Sequence, residues 1–137
     1  MGGQAMKIAP DTNVLLRAAV RDDPQQAISA ARLLRSADSV AVSISALCEF
    51  AWVTRSAYKW PPTEVARSIR ALVASPNVVT NLPAAEAGLA LLDQGGDFAD
   101  GVIAYEGNCL VAEEFVSFDK QAVSLLKSQG KRARLLS

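Results

Sequence analysis

No histidine occurs anywhere in this sequence. That absence removes Ser-His-Asp triads, Cys-His pairs, histidine acid–base pairs and histidine-ligated zinc together. An enzyme built on this chain must draw its proton and metal chemistry mainly from carboxylates. Excess charge of one sign is missing as well, since 14 Lys and Arg stand against 14 Asp and Glu. Without a bulk positive field, any hold on nucleic acid needs a local patch. The only cysteines, Cys48 and Cys109, are far apart and lack ligand spacing, so they are expected as buried free thiols rather than a disulfide or metal site. No apolar run approaches the roughly 20 residues that a spanning helix requires, and the expectation is a cytoplasmic chain with no membrane contact. The opening MGGQAM lacks the basic and apolar regions of a signal peptide. Residues 1–6 read as a cloning scar or disordered N-terminus ahead of one domain, residues 7–137.

What is present is ample core material. Hydrophobic residues make up 50% of the chain, enough at this length to bury a core without disulfide or metal staples. MKIAP suggests a short strand over residues 7–10. In RDDPQQAISAARLLRSA, Asp23 is an N-cap, Pro24 the first helical residue and Gln26 the partner in a capping box. SVAVSI (39–44) alternates like a strand, and Ser45 then caps a helix to about Tyr58. Val65, Ala66, Ile69, Leu72 and Val73 form one helical stripe. NVVTNL suits a short strand, PAAEAGLALLDQ a helix, and Gly95-Gly96 its stop. A helix follows from Asp97 to about Gly107, then a strand in EFVSFD, a helix in KQAVSLLKSQG and a last strand in ARLLS. Strands alternating with helices predict a parallel sheet between helical layers.

In such folds, sites gather at the carboxyl ends of strands. Asp11 and Asp119 directly follow expected strands, while Glu49 and Asp100 lie in first turns of helices that can open on the same edge. Seven of the eight residues in ALCEFAWV (46–53) are hydrophobic and Glu49 is the exception, so Glu49 is expected to be buried and in need of neutralisation. Clustering carboxylates adds repulsion of roughly 3 kcal/mol per pair at about 5 Å and an effective dielectric of about 20. A divalent cation offsets that, and oxygen donors without histidine select a hard ion, Mg²⁺ or Mn²⁺. Such an ion suits phosphodiester hydrolysis. The same acids also have plain structural readings, as turn caps, ion-pair partners and helix-dipole groups. A receiver-like signalling domain and a nuclease-like scaffold that binds RNA or protein without cutting are the competing functions.

Taken in order, DTNVLLR (11–17), EFAWV (49–53), DFADGVIA (97–104) and SFDK (117–120) resemble the PIN-domain ribonucleases, and most closely the VapC-type toxins of bacterial toxin–antitoxin pairs. The resemblance implies a three-layer α/β/α sandwich with a central, mainly parallel sheet. It further implies a Mg²⁺- or Mn²⁺-dependent endoribonuclease that forms homodimers and is inhibited by a cognate VapB-type antitoxin. Asp11, Glu49, Asp100 and Asp119 take the positions of the family's acidic quartet, as catalytic residues and metal ligands. Ser117 matches a residue that steadies a metal-bound water, Thr12 and Asn13 are expected to support the Asp11 turn, and Asp97 is expected as a cap or as support for the metal. For RNA phosphates the cationic candidates are Arg17, Arg21, Arg55, Lys59 and Lys120, with Arg17 foremost, one helical turn beyond Asn13. Trp52 is expected in packing or a dimer contact, with base stacking as its other role.

Overall fold

The structure, a computed structural model, describes residues 6–137, so the expectation for residues 1–6 lies almost wholly outside the described residues. Strand β1 (Lys7–Ile8) leads through Pro10 to Asp11, which caps α1 (Thr12–Val20) by accepting the Val14 amide at 3.1 Å. Asp23 caps α2 (Pro24–Ser36) in the same way, accepting from the Gln26 amide. The other half of the expected capping box does not form, because the Gln26 amide oxygen is taken by Arg17 Nε at 2.7 Å.

β2 (Ser39–Ala41) is shorter than the expected strand, and α3 (Ile44–Ser56) starts before its expected cap. Ser43 is the reason. Val42 makes the last amide bond to the neighbouring strand, at Val79 O, and the hydroxyl of extended Ser43 is then the first acceptor in reach of the Ala46 amide. α4 (Pro62–Val73) follows, burying Val65, Ala66 and Ile69 as its stripe predicts. β3 (Val78–Val79) and α5 (Leu82–Asp93) come next. Gly95, at φ +87°, stops α5 in the left-handed conformation that favours glycine. α6 (Phe98–Cys109), β4 (Phe115–Ser117), α7 (Lys120–Ser128) and β5 (Ala133–Leu135) complete the chain.

Every strand pairing is parallel, and the fold is the expected α/β/α type. The ladder is in two pieces rather than one continuous sheet, β1-β2-β3 and β4-β5. β1 has only two residues, and Pro10 beyond it has no N–H to extend a ladder. The main core gathers Val40, Leu47, Phe50, Val65, Ile69, Leu92 and Phe98, while Leu91, Val123, Leu126 and Ala133 form a smaller cluster joining α5, α7 and β5. α6 lies along α5 and also against α3. Among the described residues, no helix is long and apolar enough to cross a membrane.

Candidate active site

The sequence-predicted acids fall into two groups. The first joins α1 to α3. Asp11 directs one carboxylate oxygen into its cap, and next to it Thr12 donates its hydroxyl to Glu49 Oε1 at 3.1 Å. Thr12 therefore reaches across to α3 instead of bracing the Asp11 turn, which the Val14 amide closes. Asn13 is exposed, with no side-chain hydrogen bond among the described residues.

Glu49 corrects a second expectation, because it is exposed rather than buried. The inward stripe of α3 is Ala46, Leu47, Phe50, Ala51 and Thr54. Glu49 lies on the opposite stripe with Ser45 and Trp52, which solvent reaches. Local hydrophobicity in ALCEFAWV misled because Cys48 and Val53 are only half-buried on the flanks and Trp52 faces solvent, so the helix buries one side alone.

The second group joins α6 to α7. Asp97 caps α6, accepting from the Ala99 amide at 3.2 Å. Asp119 caps α7, accepting from the Gln121 and Ala122 amides at 2.9 and 3.2 Å, while its own amide donates to Ser117 Oγ at 2.9 Å. Ser117 thus shapes the turn that presents Asp119. Asp100, in the first turn of α6, has no capping duty. Burial raises its pKa above the ordinary carboxylate value, and the charges of Asp97 and Asp119 raise it further. That mutual repulsion puts the three acids in one electrostatic neighbourhood.

α3, which carries Glu49, packs against α6, which carries Asp100. Cys48, adjacent to Glu49, is half-buried, and its thiol is pushed up to about 11 by burial and then by Asp97 and Glu106. It stays a protonated thiol at neutral pH and is no nucleophile. On the same side of α3, Arg55 Nη1 donates to the Gly96 carbonyl, 3.2 Å away, just ahead of Asp97. Cys109 is exposed, against the expectation of a buried thiol, because it ends α6 where the helix leaves the core.

Asp11, Glu49, Asp97 and Asp119 each commit one carboxylate oxygen to a hydrogen bond, and the other accepts none among the described residues. None of these acids, nor Asp100, forms an ion pair among the described residues; the pairs found are Arg17–Asp22, Arg67–Glu64, Arg70–Asp93 and Arg134–Glu114. The site holds uncompensated negative charge and oxygen donors alone, a set that fits a hard divalent cation. As they stand, no three acidic or cysteine side chains among the described residues are close enough to hold an ion together.

Arg17 is engaged away from this edge, by Gln26 and by Asp22 Oδ1 at 3.2 Å. The other Asp22 oxygen accepts from Tyr58 Oη at 3.1 Å. With Asp22 holding Arg17 and Tyr58, and Asp23 capping α2, neither serves as the acidic pair of a receiver-like pocket. A cavity of about 570 Å³ lies at the other end of the β4-β5 ladder, lined by Tyr105, Asn108, Glu113, Phe115 and Arg132 among others, and no acid of the quartet borders it. Sequence reasoning passed over Phe118, which is 74% exposed between Ser117 and Asp119. The available signal was an aromatic residue directly beside a candidate ligand at a strand end.

A family model described as PIN domain matches residues 8–105. The matched span contains Asp11, Glu49, Asp97 and Asp100. No curated protein matches the chain.

Proposed function

This chain belongs to the PIN-domain family, and from that premise we propose that it is a Mg²⁺- or Mn²⁺-dependent endoribonuclease, the toxin of a VapBC-type toxin–antitoxin pair. The family is one of nucleases, so the coarse activity is hydrolysis of nucleic-acid phosphodiesters. Asp100 is the observation that carries the metal dependence. A partly buried carboxylate, repelled by two neighbours and without a cationic partner among the described residues, calls for a cation. Asp11, Glu49, Asp100 and Asp119 are the residues that would hold a divalent ion, and the chemistry it would supply is Lewis acidity toward water and the phosphoryl oxygens. Asp11 and Asp119 are each fixed by their caps through one oxygen, which leaves the other for a ligand. Glu49, exposed and steered by Thr12, is the group available to take the proton of the attacking water. Lys120, beside Asp119, is the cation placed for the RNA phosphates, whereas Arg17 is held by Asp22 and Gln26.

RNA as the substrate, the VapB-type antitoxin, the homodimer and the cytoplasmic setting are supported by the ordered resemblance of the four motifs to VapC-type toxins. Purified protein is expected to cleave RNA with Mg²⁺ or Mn²⁺ and to stop with EDTA. If neither metal supports cleavage nor raises thermal stability, the non-cleaving scaffold prevails.

Thr12 gives a finer check. Thr12→Val is expected to lower RNA cleavage about 10-fold, as loss of a group that supports a metal ligand does, with a stability change below about 1 kcal/mol for an exposed hydrogen bond. Steady-state kinetics beside thermal melts would test this. Unchanged kcat/KM would mean that Glu49 needs no steering.

A further inference from the structure

The aromatic side chains divide sharply. Of the four phenylalanines, two tryptophans and two tyrosines in the chain, Phe50 and Phe98 are buried, and Trp60, Tyr58, Phe115 and Tyr105 are partly covered. Only Trp52 and Phe118 are exposed, at 65% and 74%. Each adjoins a member of the acidic quartet. Trp52 lies one turn beyond Glu49, about 4.5 Å along the axis, and Phe118 immediately precedes Asp119.

Leaving two large rings in water forgoes about 1.5–3 kcal/mol of burial for a side chain such as Phe, so a partner that covers them is the economical explanation. Their surroundings select the kind of partner. The solvent stripe of α3 runs Ser45, Glu49, Trp52, Ser56, at i, i+4, i+7 and i+11, with Trp52 its only apolar member. Phe118 sits between Ser117 and Asp119, with Lys120 and Gln121 beyond. A stable protein interface needs about 800 Å² per partner around a contiguous apolar centre; Trp52 has no other apolar residue in its stripe, and Phe118 has only the partly exposed Val116 and Leu136, at 41% and 38%, beside it on the β4-β5 ladder. Two flat, exposed rings, each beside a carboxylate implicated in phosphodiester chemistry, suit nucleobases, whose faces stack on aromatic side chains.

Resting on the nuclease reading above, we propose that Trp52 and Phe118 are base-stacking platforms on the two sides of the acidic edge. Trp52 works from the α3 side and Phe118 from the α7 side, and together they grip unstacked bases flanking the scissile phosphate. Stacking of this kind reads no sequence by itself, but it requires bases free of a duplex. The site therefore selects single-stranded substrate through two residues that hold no metal.

The test uses the full chain with Trp52→Ala, Phe118→Ala and Trp52→Phe. Cleavage of a single-stranded oligoribonucleotide gives KM and kcat. Anisotropy in EDTA, with the same labelled oligonucleotide and with an abasic one of equal length, gives binding without chemistry. Each alanine variant is expected to raise KM and Kd about 10-fold while kcat changes less than about 3-fold, with Trp52→Phe near the wild type. Wild-type protein is expected to bind the abasic strand at least about 10-fold more weakly. Equal affinity for the abasic strand, or alanine variants that bind like the wild type, would overturn the proposal. So would a change in sedimentation mass for Trp52→Ala with RNA binding intact, which would make Trp52 a protein contact. A wild type that binds the oligonucleotide through both rings but cuts nothing would sink the nuclease reading and leave the platforms standing.

Discussion

Asp100→Asn is expected to abolish metal-dependent cleavage and, in the same protein without metal, to raise the melting temperature by a few degrees. The two effects have one cause. Asp100 is placed in the first turn of α6 without a cap to make, where burial and the charges of Asp97 and Asp119 oppose its ionisation. Its folded-state pKa is therefore raised above the unfolded value. For a carboxylate, that sign means a stability penalty fully present above the folded pKa and relieved as pH falls through it. Asparagine removes the penalty at neutral pH, although solvent screening of a half-exposed group keeps the gain small. Activity moves the other way, because the amide cannot supply the anionic donor. Groups that merely support metal ligands cost about 10- to 100-fold when removed, so losing Asp100 itself should exceed about 100-fold. Asp97→Asn, which alters a cap while removing one of the repelling charges, should retain most activity. The pH profile supplies a further readout. Cleavage should fall on the acid side as Asp100 protonates, and that limb should move to lower pH as Mg²⁺ is raised, since metal and proton compete for the same oxygens. Equal losses for Asp97→Asn and Asp100→Asn, or a less stable metal-free Asp100→Asn, would refute this division of roles.

The α/β alternation was legible in the sequence because its signals are local. Asp23-Pro24, the Val65–Ile69 stripe, Gly95-Gly96 and the Asp119 turn each act within one or two helical turns, and the elements appear where those signals place them. What misled depends on direction and distance. The hydrophobicity around Glu49 counted residues without fixing which side of α3 faces inward, and the N-cap at Ser43 rather than Ser45 followed from the last strand bond at Val42. Part of the acidic inventory stands where the sequence puts it, Asp11 and Asp119 as caps after strands and Asp100 in a first helical turn, whereas Glu49 lies in the second turn of α3 because that helix begins at Ile44. How the acids interact was not legible, because Thr12 bonding Glu49 across 37 residues, and Asp119 acting on Asp100 from another helix, are products of packing. Arg17, picked as a phosphate contact, is held by Asp22 and Gln26 for the same reason: its partners lie on the next turn and helix, in a geometry that spacing does not state.

Two glycines of α6 should answer to the same substitution with opposite signs. Gly101, directly after Asp100, marks where α6 crosses α5 most closely. A Cβ there would overlap the Ala87 carbonyl oxygen and stand 2.9 Å from Gly88 Cα. Those obstacles are backbone, so no side chain can swing aside, and the helices must separate. Nor can Gly88 yield, since its own missing Cβ makes room for the fully buried Phe98 ring, which would be 2.6 Å away. Overpacking of this kind costs at least about 3 kcal/mol at the upper end of its usual range, offset by the roughly 1 kcal/mol that alanine gains over glycine within a helix. Gly101→Ala is thus expected to lose about 2 kcal/mol, a fall in melting temperature near 8 °C for a chain of this size, and to lower activity by shifting Asp100. Gly107, two turns on, meets nothing closer than Ala112 Cβ at 3.8 Å. Gly107→Ala should keep the helix gain and stabilise by up to about 1 kcal/mol. Denaturant melts of the two variants decide the matter. A Gly101→Ala protein as stable as Gly107→Ala would mean that α5 and α6 have room to spare, and that Asp100 is not held in place by the closeness of their crossing.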